Sequence, residues 1–191
     1  MRRTGRGLLG GRRARRIFGP VLHPALQRLR LAHARREAGD YLTAASEFHA
    51  LAERGEAEGI PRSVQAYVLA GRSFLLAGQH DPGLADLRRS VDAAVRFGQL
   101  PRLAAAAPRI AAELRASGFG GEADAFLSIL EAAGPPLLAA QPTPAVALGP
   151  PRLPAKCPSC GGTVHPGEVE WADPHLVLCD YCGSMIPAVE S

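Results

Sequence analysis

The sequence predicts a mainly α protein, three helix–turn–helix repeats followed by a small β module at the C-terminus. Three observations carry that reading. Hydrophobic residues make up 47% of the 191 residues but aromatics only 5%, with alanine abundant, a balance that suits closely packed short-side-chain helices better than a β-sandwich. Glycines 39, 78 and 118 recur at intervals of 39 and 40 residues, a period that belongs to stacked supersecondary units. Four cysteines, Cys157, Cys160, Cys179 and Cys182, gather near the C-terminus as two C-x-x-C pairs.

Between residues 24 and 133 the chain breaks into six helical stretches. Pro24 to Ala38 ends at Gly39-Asp40, and Tyr41 to Arg54 follows with Ala44, Phe48 and Leu51 on one face. Pro61 lies near the start of the third, in which Tyr67, Gly71 and Phe74 share a face before Gly78. Asp81-Pro82 reads as an N-cap with proline at the first helical position, opening a helix that runs to Gly98. Pro101 begins the fifth, where Pro108 predicts a kink or a later start. Glu122 to Ala133 is the sixth, with Ala123, Phe126, Leu127 and Leu130 as its apolar stripe.

These positions resemble the tetratricopeptide repeat family. Tyr67, Gly71 and Phe74 fall at the family's large–small–large positions, Gly78 at its turn, and Gly83, Leu87 and Ser90 at its small–large–small positions. Leu31-Ala32, Gly39-Asp40-Tyr41, Ala44 and Phe48 give the first copy, and Ala111, Leu114, Gly118, Ala123 and Leu127 the third. Arg28 and Arg35 depart from the pattern at large apolar positions, and the period exceeds the family's usual length. A generic antiparallel bundle is the competing architecture. The resemblance implies a stacked solenoid whose first helices line a concave groove. Its polar members would be His33, Arg36, Gln65, Arg72 and Arg115, suited to an acidic peptide or helix of a protein partner. Ordinary solvated helix positions are the plainer reading of all five.

The cysteine spacing, with 18 residues between the pairs, is that of a four-thiolate zinc site. One zinc ion held by all four has no open coordination position, so the site reads as structural. The chain also resembles a zinc ribbon from Lys156 onward. Thr163-Val164 and Val169-Glu170-Trp171 flank a Pro166-Gly167 turn, and His175 to Leu178 forms a strand into the second C-x-x-C. Rubredoxin-like iron for electron transfer, or disulfides, are the competing readings. His165 and His175 read as surface residues.

Residues 134–156 form a linker in which 7 of 23 residues are proline and none is acidic. Extended, it would reach ~70 Å, which predicts a tethered ribbon (157–187) free to engage a partner separately.

Residues 1–23 form a basic tail expected to be disordered. Positions 2–16 carry seven arginines and no acid, suiting weak contact with nucleic acid or another anionic surface; a solvated tail or an over-extended gene start are the plainer readings. All but one of the 22 basic residues are arginine, as a GC-rich, bacterial genome would favour. No apolar run is long enough to span a membrane. There is no Walker A, G-x-S-x-G or H-E-x-x-H motif. The expected function is therefore a cytoplasmic, non-enzymatic adaptor. The alternative is a nucleic-acid-associated regulatory protein using tail and ribbon, although no Lys or Arg follows Lys156.

Overall fold

The computed structural model describes residues 24–134, 152–166, 169–173 and 175–189. The basic tail (1–23) and most of the proline-rich linker (135–151) lie outside the described residues. Six helices come first: α1 (Pro24–Glu37), α2 (Tyr41–Ala57), α3 (Ser63–Leu76), α4 (His80–Arg96), α5 (Leu100–Ala116) and α6 (Gly120–Ala133). Each helix packs on the one before it, and α4 also packs on α6.

One turn design closes the first five helices. A glycine sits in the left-handed region, from φ 66° at Gly98 to 91° at Gly118. The residue after it sends its N–H back five positions, as Asp40 does to Arg35 O (2.9 Å) and Phe119 to Leu114 O (2.9 Å). This is the Schellman arrangement, which satisfies carbonyls that a helix end leaves open. Gly59 and Gly98, in the turns between the three helix pairs, use the same device as Gly39, Gly78 and Gly118.

The helix starts follow the sequence only in part. Asp40 caps α2 by accepting from the Thr43 N–H at 3.3 Å. At α4 the Gly83 N–H already reaches Gln79 O (3.1 Å), so the helix begins at His80 and Asp81 lies in its first turn rather than capping it. α5 runs unbroken through Pro108. That ring is exposed, on the side of a helix where a missing backbone donor is most easily tolerated.

Two apolar clusters form. The larger spans α2 to α6, with Tyr67, Leu87, Ile110 and Phe126 fully or almost fully buried. Within it α3 and α4 approach closely: a Cβ built at Gly71 would lie 2.8 Å from Gly83 O. Phe74 shares a sequence-marked face with Tyr67 and Gly71, yet Leu75 occupies the core in its place, at 0% exposure. Phe74 is half-buried and stands edge-on to His49 at 6.4 Å. One residue is about 100° of helix, enough to exchange a core position for a flank.

The second cluster joins Leu29, Ala32, Phe48 and Leu69 of the helices to Val177 and Ile186 of the C-terminal module. That module carries a three-stranded antiparallel sheet in the order β1 (Glu170–Asp173), β2 (Leu176–Leu178), β3 (Met185–Pro187). Val177 lies opposite Ile186 across β2 and β3, and both are fully buried. Isolated bridges pair Arg152 with Val189 and Lys156 with Thr163, so residues 152–156, assigned to the linker on composition, fold with the ribbon.

The ribbon is therefore packed on the helices, in contrast to the free tethered module that linker composition predicted. Composition registered that a proline-rich segment need not fold. It carried no information on where the segment delivers the module, which is decided by apolar and charged complementarity between surfaces distant in sequence.

Candidate metal centre

Two backbone knuckles with the same hydrogen-bond pattern place the cysteines. In the first, Gly161 N–H donates to Cys157 O (2.8 Å) and Cys157 N–H to Gly162 O (2.8 Å). In the second, Gly183 N–H donates to Cys179 O (2.8 Å) and Cys179 N–H to Ser184 O (3.0 Å). Gly161 and Gly183 take φ values of 78° and 72°, a conformation that L side chains adopt rarely. The glycine after each C-x-x-C is thus required by the reversal of the chain.

The knuckles bring the four Sγ atoms within 4.8 Å of one another. Cys157 and Cys182 are 3.7 Å apart, as are Cys160 and Cys179. A tetrahedral ion with Zn–S bonds of about 2.3 Å would separate its sulfurs by about 3.8 Å, so the donor set fits such a metal. None of the four is in a disulfide. Gly162 N–H points at Cys160 Sγ (3.4 Å), and Ser184 Oγ lies 3.3 Å from Cys182 Sγ. Contacts of this kind stabilise thiolates that serve as ligands.

Three of the thiols perturb one another. Hydrogen bonds to Cys179 and Cys182, then burial, push the Cys160 thiol up. At Cys179 the bond with Cys160 works downward, but the bond with Cys182 and burial outweigh it and the thiol rises to about 12. Cys182 is held down by bonds from Cys160 and Cys179. A divalent cation at the centre of the group would let buried thiols ionise. When bound, it would supply a closed, structural cross-link between the knuckles. His165 and His175 are not members of the group.

Pro158, Asp180 and Tyr181, three of the four x-x residues of the knuckles, contact the helices. Arg30 of α1 donates to Pro158 O at 2.7 Å. Arg102 of α5 forms an ion pair with Asp180. The Tyr181 ring stands edge-on to His33 of α1 at 5.2 Å, and a Cβ at Gly162 would collide with that ring. On either side of the knuckles, Lys156 pairs with Glu37 (2.6 Å) and the Arg62 guanidinium lies over Gly183. Burial raises the Tyr181 hydroxyl, opposed by the nearby charges of Arg72 and Arg109.

The five residues expected to line an open groove take different roles. His33 is 6% exposed, wedged between Phe48 and Tyr181, with its Nε2 lacking a hydrogen-bond partner. Arg36 has its Nε buried. Gln65 lines a cleft of about 180 Å³ at the seam, with Arg62, Gln99, Arg102, Cys179 and Asp180. Arg72 pairs with Glu113 of α5. Arg115 was placed on the same wall as Arg72, but it pairs with Asp124 of α6 at 2.6 Å. Two residues after Glu113, it is rotated about 200° around the helix. On α5, Arg102 pairs with Asp180 of the ribbon and Glu113 with Arg72 of α3, while Arg109, paired with Glu113, lies near Tyr181.

Sequence reasoning missed Asp180, Tyr181, Arg30, Arg62 and Arg102. A signal was available: an aromatic inside a C-x-x-C loop has no room among the sulfurs and must find apolar cover elsewhere.

No helix among the described residues is long and apolar enough to cross a membrane. No protein-family model, curated protein or solved structure matches this chain.

Proposed function

We propose that this chain is a non-catalytic adaptor of the cytoplasm, a tetratricopeptide-like helical array that carries a structural zinc ribbon. The observation that carries the reading is the pair of 3.7 Å sulfur separations across two like knuckles, which suits four thiolates closing around one zinc ion. A metal with four thiolate ligands has no position for substrate, so its work is architectural. A reducing compartment keeps such thiols available. The solenoid reading is supported by three helix pairs closed by equivalent left-handed glycine turns and by each helix packing on its predecessor.

The partner expected for such an array is a protein segment rich in acidic residues. With the ribbon seated on the helices, the surface offered to it is composite. The seam cleft is lined by Gln65 and Arg62, which suits a partner carboxylate received by the Arg62 guanidinium, whereas Arg102 in the same cleft is already taken by Asp180. Affinity capture with the full chain tests this. The expected result is an acidic partner retained by the wild type and lost by a Arg62→Ala, Gln65→Ala variant. Undiminished capture by that variant would remove the seam as the binding surface.

A further inference from the structure

The contacts that fasten the ribbon to the helices are concentrated at the metal ligands. Pro158, which receives Arg30, lies inside the first C-x-x-C. Asp180, paired with Arg102, and Tyr181, packed on His33, lie inside the second. Lys156, paired with Glu37, and Gly183, beneath Arg62, are immediate neighbours of cysteines. Each of these residues is within two positions of a metal ligand and takes its place from the knuckle that the ligands shape.

The two apolar clusters differ in what they need. Among the described residues, the buried members of the larger all belong to helices, so the body from α2 to α6 keeps its own core without the ribbon. The smaller is shared, and Cys157, Cys160 and Cys179 belong to it beside Val177 and Ile186. A module of this size with so few buried aliphatics depends on its metal for folding. Losing the metal should therefore dissolve the ribbon's docking face and leave the helices standing.

We propose that metal loading of the four cysteines controls access to the arginine-bearing face of α1, α3 and α5. With metal bound, the Asp180-Tyr181 knuckle occupies that face as a ligand from the same chain. With metal removed, the knuckle loses its shape, and the face is free for an acidic segment of another protein. The proposal rests on the four-thiolate reading of the site and is independent of the partner's identity. The cover itself shows the chemistry the face prefers, a carboxylate on Arg102 beside an aromatic ring on His33.

The experiment follows the reactivity of His33 in the full-length protein under reducing conditions. Zinc content is measured first, then carbethoxylation of His33 by diethyl pyrocarbonate is timed by mass spectrometry before and after chelation. His80, whose side chain is 57% exposed, serves as the internal reference. Far-ultraviolet circular dichroism follows the helices in parallel. The expected result is slow His33 modification in the zinc-loaded protein, at least ten-fold faster modification after chelation, reversal on adding zinc, and little change in helix signal. Absence of stoichiometric zinc at the outset would remove the metal reading itself. With zinc present, a His33 rate unaltered by chelation would overturn the proposal. So would loss of the helix signal, which would make the ribbon part of one folding unit rather than a cover. Tyr181→Ala provides a second route, because it keeps all four ligands. It should retain one zinc yet expose His33 without chelation, and a protected His33 in that zinc-loaded variant would overturn the proposal as well.

Discussion

The imidazole of His33 in α1 and the ring of Tyr181 in the second knuckle stand edge to face, 5.2 Å apart with planes at 69°. On its other side His33 meets Phe48 at 5.0 Å. One histidine therefore joins the helical core to the cysteine module, and it does so as a neutral ring. Burial, helped by the charge of Arg36, lowers its pKa from 6.5 to about 4.

That depression gives a pH prediction with a definite sign. Unfolded chains take up the His33 proton below about pH 6.5, whereas the folded protein resists until about 4. The unfolded state then binds more protons, so stability contributed by this site falls as pH drops from about 6.5 to 4. His33→Phe keeps an aromatic ring and removes the titration. Urea melts of zinc-saturated protein at pH 7 and pH 5.5 should show a smaller loss in the variant than in the wild type. Equal losses would mean that His33 titrates normally.

Core substitutions on α3 should separate adjacent positions. Leu75→Ala removes a side chain with no exposure and should cost about 2–5 kcal/mol. Phe74→Ala, on a half-buried flank, should cost clearly less, although it deletes more atoms. Denaturant midpoints at constant m-value decide between them, and the reverse order would contradict the packing described.

Gly71→Ala should also destabilise, by about 1–3 kcal/mol, because the new Cβ would meet the Gly83 carbonyl of α4 at 2.8 Å. In an uncrowded helix the same change would be favourable by about 1 kcal/mol. A thermal melt giving a more stable variant would show that α3 and α4 are further apart.

The arginines of α3 and α5 should differ in the same assay. Arg72 has 13% side-chain exposure and ties α3 to Glu113 of α5, whereas Arg115 is 46% exposed in its pair with Asp124. Arg115→Ala should change stability by no more than about 0.5 kcal/mol. Arg72→Ala should cost more, since it removes a mostly buried guanidinium that ties two helices together, even though Glu113 keeps its pair with Arg109. Indistinguishable melts of the two variants would contradict this.

Local rules made much of this protein legible. Glycines 39, 78 and 118 identified three real turns because glycine takes the left-handed conformation of a Schellman helix end without steric cost. The cysteine spacing identified the four-sulfur cluster because two C-x-x-C knuckles prescribe their own geometry. Features set by long-range contact were less legible. Periodicity placed Phe74 one residue from the true core position, since apolar residues occupy most positions of α3 and leave its buried face weakly marked. Turn glycines could not fix the rotation of α5, so Arg115 was assigned to the wall that Arg102 and Arg109 share. Proline content described a linker and said nothing of the surface its ribbon meets.

X-ray absorption at the zinc edge, with metal stoichiometry on freshly reduced full-length protein, tests the central claim most directly. One zinc per chain is expected, bound by four sulfurs at about 2.3 Å from Cys157, Cys160, Cys179 and Cys182. Stoichiometric iron, a nitrogen or oxygen ligand in the first coordination sphere, or metal-free protein would contradict it.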